Sequence, residues 1–161
     1  MEQRIGQGFD LHRFSDDPER ILVLAGVEFP GERGLVGHSD ADVVTHAVID
    51  ALLGAAGLGD IGERFPDSDP ELAGVDSIAL LRNTRSALDR EGWAVVNVDC
   101  TVVLDRPRIL PRRTEMRARL EGVVGAPVSL KGKTTEGVGS LGRGEGVIAM
   151  AVALLERSAE R

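Results

Sequence analysis

A chain of 161 residues is long enough to bury a substantial core as one domain without disulfides. Its 42% hydrophobic and 28% charged content is that of a soluble globular protein, and 3% aromatic residues, with no Tyr, leave little for stacking on bases. A net charge of -7 repels polyanions, which argues against nucleic acid and acidic membranes as partners, and a small anionic substrate would need local cations or metals. The single cysteine, Cys100, lies in an apolar strand pattern and reads as a small buried hydrophobe. Met1-Glu2-Gln3-Arg4 carries no apolar signal-like stretch, and the longest apolar run, Val147 to Leu155, is too short to cross a bilayer. The expectation is a cytoplasmic protein.

Arg4 to Asp10 reads as a first strand. In Gly8-Phe9-Asp10-Leu11-His12 the acid and the imidazole are two apart, so both project from one face of an extended chain. After a turn at Ser15-Asp16-Asp17-Pro18, Ile21 to Phe29 is an extended stretch closed by Pro30-Gly31. The stretch from Gly37 to Asp50 then opens a helix of about Ala41 to Ala56, with Ser39 or Asp40 as its cap and Gly57 as its left-handed stop. In such a helix Asp42, His46 and Asp50 share one side, while Val44, Val48, Ala51 and Leu52 form an apolar stripe. Asp42 and Asp50 are then either solvated carboxylates or groups that orient the His46 ring from behind.

The chain has three histidines, His12, His38 and His46, all in its first third and all beside carboxylates. Asp10, His12 and His46 together would offer zinc two imidazoles and one carboxylate with a fourth position open, the donor set of a catalytic site. Directly after the helix, Gly59 to Pro70 is a long acidic loop marked by Gly and Pro, a candidate lid or substrate wall.

Asp76 is the expected cap of a second helix that ends at Gly92, and Trp93 to Leu104 follows as a long strand with both faces at least partly buried. Asp105 to Arg108 is a loop, Pro111 suits the first turn of a third helix, and Gly125 stops it. Val128 to Lys131 and Val147 to Leu155 read as closing strands. Between them, Lys131 to Gly146 is glycine-rich with Lys133, Thr134, Thr135, Glu136 and Arg143 interspersed, which suits a phosphate loop or a plain hairpin. It is not a Walker loop, because Pro127 stands where the first Gly should be. No repeat or linker interrupts the chain. The fold expected is therefore α+β, a single domain over residues 1–161 with a mixed sheet of about four main strands and helices packed on one face.

Taken in order, Gly-Phe-Asp-Leu-His at 8–12, Gly-His-Ser-Asp-Ala-Asp at 37–42, His46, Gly-Asp-Ile-Gly at 59–62, Phe-Pro-Asp-Ser-Asp at 65–69, Thr-Thr-Glu at 134–136 and Gly-Arg-Gly-Glu-Gly at 142–146 resemble the 2-C-methyl-D-erythritol 2,4-cyclodiphosphate synthases. The resemblance implies cyclisation of a CDP-linked 2-phosphate with release of CMP, in the non-mevalonate isoprenoid pathway. It also implies a homotrimer with each site between neighbouring subunits.

By the same resemblance Asp10, His12 and His46 hold zinc, and Glu136 serves a second cation, magnesium or manganese, on the substrate diphosphate. His38 and Thr134 match the catalytic positions, and Ser39 contacts phosphate with His38, beside Asp10 and His12. Asp60, Ile61 and Gly62 are expected to grip the methylerythritol hydroxyls, with Phe65, Pro66, Asp67, Ser68 and Asp69 as a mobile wall. Leu104, Asp105, Arg106, Pro107, Arg108, Ile109 and Leu110 match the cytosine pocket, and Lys133, Thr135 and Arg143 complete the substrate contacts. Two positions depart from the common pattern. Ser140 stands where many members have Phe, so an apolar isoprenoid diphosphate cavity on the trimer axis does not carry over, and Lys133 stands where Thr is frequent.

Overall fold

The structure is a computed structural model that describes residues 1–158. Strand β1 (Glu2–Arg13) runs past both ends of the expected Arg4–Asp10 stretch because β6 (Gly146–Arg157) pairs with it along its full length, from Glu2 opposite Arg157 to Arg13 opposite Gly146. Strand β4 (Ala94–Val103) lies antiparallel on the other side of β6, and β5 (Val128–Lys133) runs parallel to β4, so the sheet order is β1-β6-β4-β5. The expected Ile21–Phe29 stretch is two short strands, β2 (Leu22–Leu24) and β3 (Val27–Phe29), joined by Ala25 and Gly26 at φ 53° and 68°. Two successive positive φ values reverse the chain tightly enough to form a separate hairpin.

The main helices are α1 (Val43–Ala56), α3 (Ser77–Arg90) and α4 (Arg113–Val124). The short α2 (Ile61–Arg64) lies within the expected loop, a 3₁₀ turn (Pro70–Leu72) begins at that loop's last residue, and α5 (Gly139–Gly142) lies in the glycine-rich segment. Asp76 caps α3, Gly57 and Gly125 stop α1 and α4 in the left-handed conformation, and Pro111 sits in a 3₁₀ turn (Leu110–Arg112) just ahead of α4.

The packing of α1 on β1 places the site. A Cβ on Gly6 would stand 1.9 Å from the Ala51 carbonyl oxygen, and one on Gly8 would stand 1.8 Å from that of Ala47. Helix and strand backbones are therefore in direct contact, which only glycine on the strand allows. Gly6, Gly8, Asp10 and His12 share one strand face, so the glycines that admit the helix also aim the two polar residues along it.

Two expectations about α1 are corrected. Its cap is Asp42, not Ser39 or Asp40: Asp42 Oδ1 accepts from Thr45 N at 3.0 Å, and Asp40 turns away to meet Ser77 N at 2.9 Å. Ala41 at φ 57° breaks the helix just before it. Nor is Asp42 on a polar side. It is fully buried, where it also accepts from Ala25 N, Gly26 N and the Thr45 hydroxyl, so it ties the β2–β3 hairpin to the helix start. Burial raises its pKa above the ordinary carboxylate value, against the pull of those hydrogen bonds. The helix has no polar edge at all, since every residue except Asp50 and Gly54 is buried between the sheet and α3.

On β4, Val98, Cys100 and Val102 are fully buried against the helices, and burial pushes the Cys100 thiol up to about 12. The opposite face is only half covered. A register shift between Val95 and Asn97 lifts Val96 out of the buried row. Among the described residues no helix is long and apolar enough to cross a membrane.

Candidate metal centre and active site

β1 delivers Asp10 and His12, and α1, seated on Gly6 and Gly8, delivers His46 from the turn after its cap. Asp10 Oδ2 lies 2.9 Å from His12 Nε2 and 3.0 Å from His46 Nδ1, and the two ring nitrogens are 3.3 Å apart. One ligand atom from each residue falls within 4.8 Å of the others. The outer partner of His12 fixes its ring: Nδ1 is 2.6 Å from the Val36 carbonyl, which can only accept, so Nδ1 carries a hydrogen and Nε2 is the nitrogen that a cation can take in place of the hydrogen it shares with Asp10. A carboxylate and two ring nitrogens converging this way fit a divalent cation of the zinc type.

Charge in the cluster is strongly coupled. Burial alone would raise the Asp10 pKa, but the hydrogen bonds from His12 and His46 outweigh it and hold the carboxyl well below the usual range. Burial alone would lower the His12 pKa, and the hydrogen bond and charge of Asp10 reverse that, so it ends raised.

The cluster forms the floor of a cavity of about 230 Å³ whose lining also includes His38, Ser39, Ile61, Gly62, Phe65 and Asp67. Leu72, Val75 and Leu80 complete its apolar side and were not singled out in the sequence, where nothing but their hydrophobicity marks them. Asp50 binds no metal ligand; its Oδ1 accepts from Ile61 N at 3.1 Å and anchors the start of the wall. Asp60 caps α2 through Glu63 N, and Asp69 caps the 3₁₀ turn through Glu71 N. Pro66, Ser68 and Asp69 carry the wall from outside the cavity lining, and His38 Nε2 lies 3.1 Å from the Asp69 carbonyl.

The remaining expected residues gather elsewhere. Leu104, Pro107, Arg108, Ile109, Leu110, Lys133 and Thr134 line a second cavity of about 240 Å³, with Arg113 and Gly132. Asp105, Arg106, Thr134 and Glu136 share a more open one beside it with Glu32. Asp105 accepts from both Thr135 N (2.9 Å) and the Thr135 hydroxyl (2.6 Å), which fixes the turn, and Glu136 sits at φ 52° with its carboxylate on the Thr134 hydroxyl. A non-glycine residue in that conformation is strained, a feature that gathers at functional loops. Arg143 pairs with Glu145 at 2.6 Å and lines none of these cavities but a further one that it shares with Leu104, Asp105 and Arg106.

The fold and its polar cluster thus define an α+β protein with a two-histidine, one-carboxylate centre at the junction of a strand and a buried helix. The chain belongs to the YgbB family, whose model matches residues 3–156. It is 56% identical over 157 residues to the 2-C-methyl-D-erythritol 2,4-cyclodiphosphate synthase of Aromatoleum aromaticum, covering 96% of this chain and 94% of that one. It is also 56% identical over 157 residues to the bifunctional enzyme IspD/IspF of Anaeromyxobacter dehalogenans, of which it spans only 40%. Among solved structures, the IspF–CDP complex of Plasmodium falciparum superposes with a TM-score of 0.84 at 32% identity, over 98% of this chain and 97% of that one.

Proposed function

We propose that the chain, as one domain, converts 4-diphosphocytidyl-2-C-methyl-D-erythritol 2-phosphate to 2-C-methyl-D-erythritol 2,4-cyclodiphosphate and CMP, a phosphorus–oxygen lyase reaction of the non-mevalonate isoprenoid pathway. The observation that carries this reading is the Asp10–His12–His46 cluster under a cavity walled by Ile61, Gly62, Phe65 and Asp67, in a chain so similar to synthases of that product. The 2-phosphate of the substrate attacks its own β-phosphorus, the bond from that phosphorus to the bridging oxygen breaks, and CMP leaves with the electron pair. No protein nucleophile is needed, so the residues position and stabilise charge.

Asp10, His12 and His46 would hold zinc, which would supply Lewis-acid polarisation of a phosphate oxygen. Glu136 would help hold magnesium or manganese, which would neutralise charge on the substrate diphosphate. His38 and Thr134 stabilise developing charge, and Ser39 joins His38 on the phosphates. Asp60, Ile61 and Gly62 grip the sugar hydroxyls, with Phe65, Pro66, Asp67, Ser68 and Asp69 closing over them. Leu104 to Leu110 receives cytosine largely through its backbone, and Lys133, Thr135 and Arg143 add the outer contacts.

Those two groups of residues lie at opposite edges of the sheet. β1 and β5 are separated by three strand spacings, roughly 14 Å at about 4.8 Å each. A complete site therefore needs a second copy of the chain, which supports a homotrimer with sites between subunits. The sheet face opposite α1 supplies a surface for it: Ile5 is 74% and Phe9 53% exposed there, beside exposed Leu11, Met150 and Val152. An apolar strip of that kind on a single chain calls for a cover. A soluble cytoplasmic enzyme is the setting this implies.

The test is incubation of the purified protein with the CDP-linked 2-phosphate, zinc and magnesium, followed by phosphorus NMR. The expected products are CMP and the cyclic diphosphate. Release of a linear phosphate instead, with solvent oxygen incorporated from isotopic water, would make the protein a hydrolase and overturn the reading.

A further inference from the structure

Behind His46 lie the hydroxyls of Ser39, which also lines the cavity, and of Ser77, with the Asp40 carboxylate beyond; the proposed reaction uses neither Ser77 nor Asp40. His46 Nε2 is 2.8 Å from Ser77 Oγ and 3.1 Å from Ser39 Oγ. Ser77 is fully buried, and its hydroxyl and its backbone N–H both meet Asp40, the hydroxyl at Oδ1 and the N–H at Oδ2, the latter at 2.9 Å. Ser77 opens α3, and Asp40 N in turn donates to the Val75 carbonyl at 3.1 Å, so the pair is locked from both segments.

Heavy-atom positions decide where the hydrogens are. An ionised carboxylate only accepts, so the one hydroxyl hydrogen of Ser77 goes to Asp40 Oδ1. Ser77 Oγ can then only accept from His46, and Nε2 must carry a hydrogen. That makes Nδ1, the atom facing Asp10 and His12, the nitrogen that a cation can take, in place of the hydrogen it otherwise shares with the Asp10 carboxylate at 3.0 Å. Ser39 does not set this direction by itself. Its oxygen accepts from Ala41 N at 3.2 Å, but its own hydrogen is uncommitted and could point either way.

We propose that Ser77, backed by Asp40, is the positioning residue that holds His46 in the tautomer presenting Nδ1 to the metal centre. The proposal rests on the metal-dependent reading of the site above, and on the general behaviour of ligating histidines, whose outer N–H partner fixes ring and tautomer. It assigns a role to two residues on different elements that touch neither substrate nor metal.

Asp40→Asn removes the charge and leaves one oxygen for three donors: Asp42 N at 3.1 Å and the Ser77 hydroxyl meet Oδ1, and Ser77 N meets Oδ2, so the new NH₂ opposes a backbone N–H in either orientation. The Ser77 hydroxyl loses its ionised acceptor and is free to turn its hydrogen to His46 Nε2, which weakens the brace that presents Nδ1. Ser77→Ala removes the acceptor and leaves only Ser39, which holds neither tautomer.

The experiment uses full-length protein labelled with ¹⁵N-histidine, read free of metal by ¹⁵N NMR, and zinc affinity measured by chelator competition. Wild type should carry a hydrogen on His46 Nε2, and both Ser77→Ala and Asp40→Asn should shift the imidazole hydrogen toward Nδ1, where Asp10 accepts it. Zinc affinity should fall about 10-fold or more in either variant. Asp40→Asn matches the original in shape, so it tests the idea even if Ser77→Ala fails to fold. Wild type with no hydrogen on His46 Nε2, or Asp40→Asn with an unchanged tautomer and unchanged zinc affinity, would overturn the proposal. A tautomer shift with zinc loss in a protein that does not cyclise the CDP-linked substrate would leave this relay standing and remove the functional reading instead.

Discussion

At the β1 edge of the sheet, Asp10, His12 and His46 stand within about a hydrogen bond of one another, each ring braced from behind, on a helix pressed against strand backbone. At the β5 edge, Thr134 and Glu136 lie on an open loop whose own internal bonds are its main support. The first region is rigid and complete within one chain, and the second is shaped but one-sided. The contrast matches what each would have to hold. A zinc site needs fixed nitrogen donors, whereas magnesium keeps waters and relies on substrate phosphates, so its protein partner can be a single exposed carboxylate.

The largest effect expected is at the complete edge. His46→Ala should abolish both zinc retention and turnover, and full zinc occupancy by metal analysis would remove His46 from the site. Glu136→Gln should keep its zinc yet lose turnover on the order of 10²-fold, the cost of one missing charge stabiliser. Its magnesium titration, compared with wild type at matched zinc, should flatten. Identical curves would show that Glu136 binds no cation. Mixing the two variants by unfolding and co-refolding gives a stricter test of the one-sided edge. If each site joins the triad of one chain to Glu136 of its neighbour, random assembly should recover about a quarter of wild-type activity. No recovery in assembled trimers would place both edges in the same chain's site.

A smaller effect is expected from the contact between helix and strand. In Gly8→Ala the new methyl meets the Ala47 carbonyl, a backbone atom that cannot swing aside, so α1 must lift off β1 and take His46 with it. Overpacking of this kind costs about 1–3 kcal/mol. Thermal melting should show that loss together with weakened zinc binding, and a variant as stable and as zinc-tight as wild type would mean that α1 does not need the close approach.

The strand spacing of Asp10 and His12 was legible in the sequence because period two is set by the backbone alone, and His46 was legible as the next imidazole on a helix with strong stop signals. The cap of that helix was misread. Ser39, Asp40 and Asp42 are all good capping residues, and the choice went to Asp42 because only its carboxylate also meets the amides of the Ala25–Gly26 turn, a contact that no local pattern encodes. Ser77 was invisible for the same reason: as the first residue of a helix it looks ordinary until tertiary packing brings it to His46. Gly6 and Gly8 were readable in principle, since glycines alternating in register with Asp10 and His12 mark a strand face that must admit something close. At the β5 edge the glycines and polar residues left a phosphate loop and a plain hairpin both open, and only the resemblance to a family assigned roles there, because glycine-rich chain permits many shapes and specifies none.

The smallest effect concerns how that open loop is held. Asp105 accepts two hydrogen bonds from Thr135, first from the hydroxyl and then from the amide, and these hold its pKa below the ordinary carboxylate value of about 3.9. A carboxyl whose folded pKa is depressed contributes stability that is present above its unfolded pKa and is lost as pH falls through the folded one. The loop should therefore stay docked at neutral pH and loosen only in acid. Asp105 is exposed, so solvent screens the effect and overall melting should barely move. The Thr135 amide is the better reporter: its NMR shift should titrate with a midpoint below about 3.9, and Asp105→Asn should erase that step while leaving zinc content unchanged. A midpoint at or above the ordinary value would mean that the carboxylate does not carry the turn, and the preset shape of the Thr134–Glu136 loop would have to come from its backbone alone.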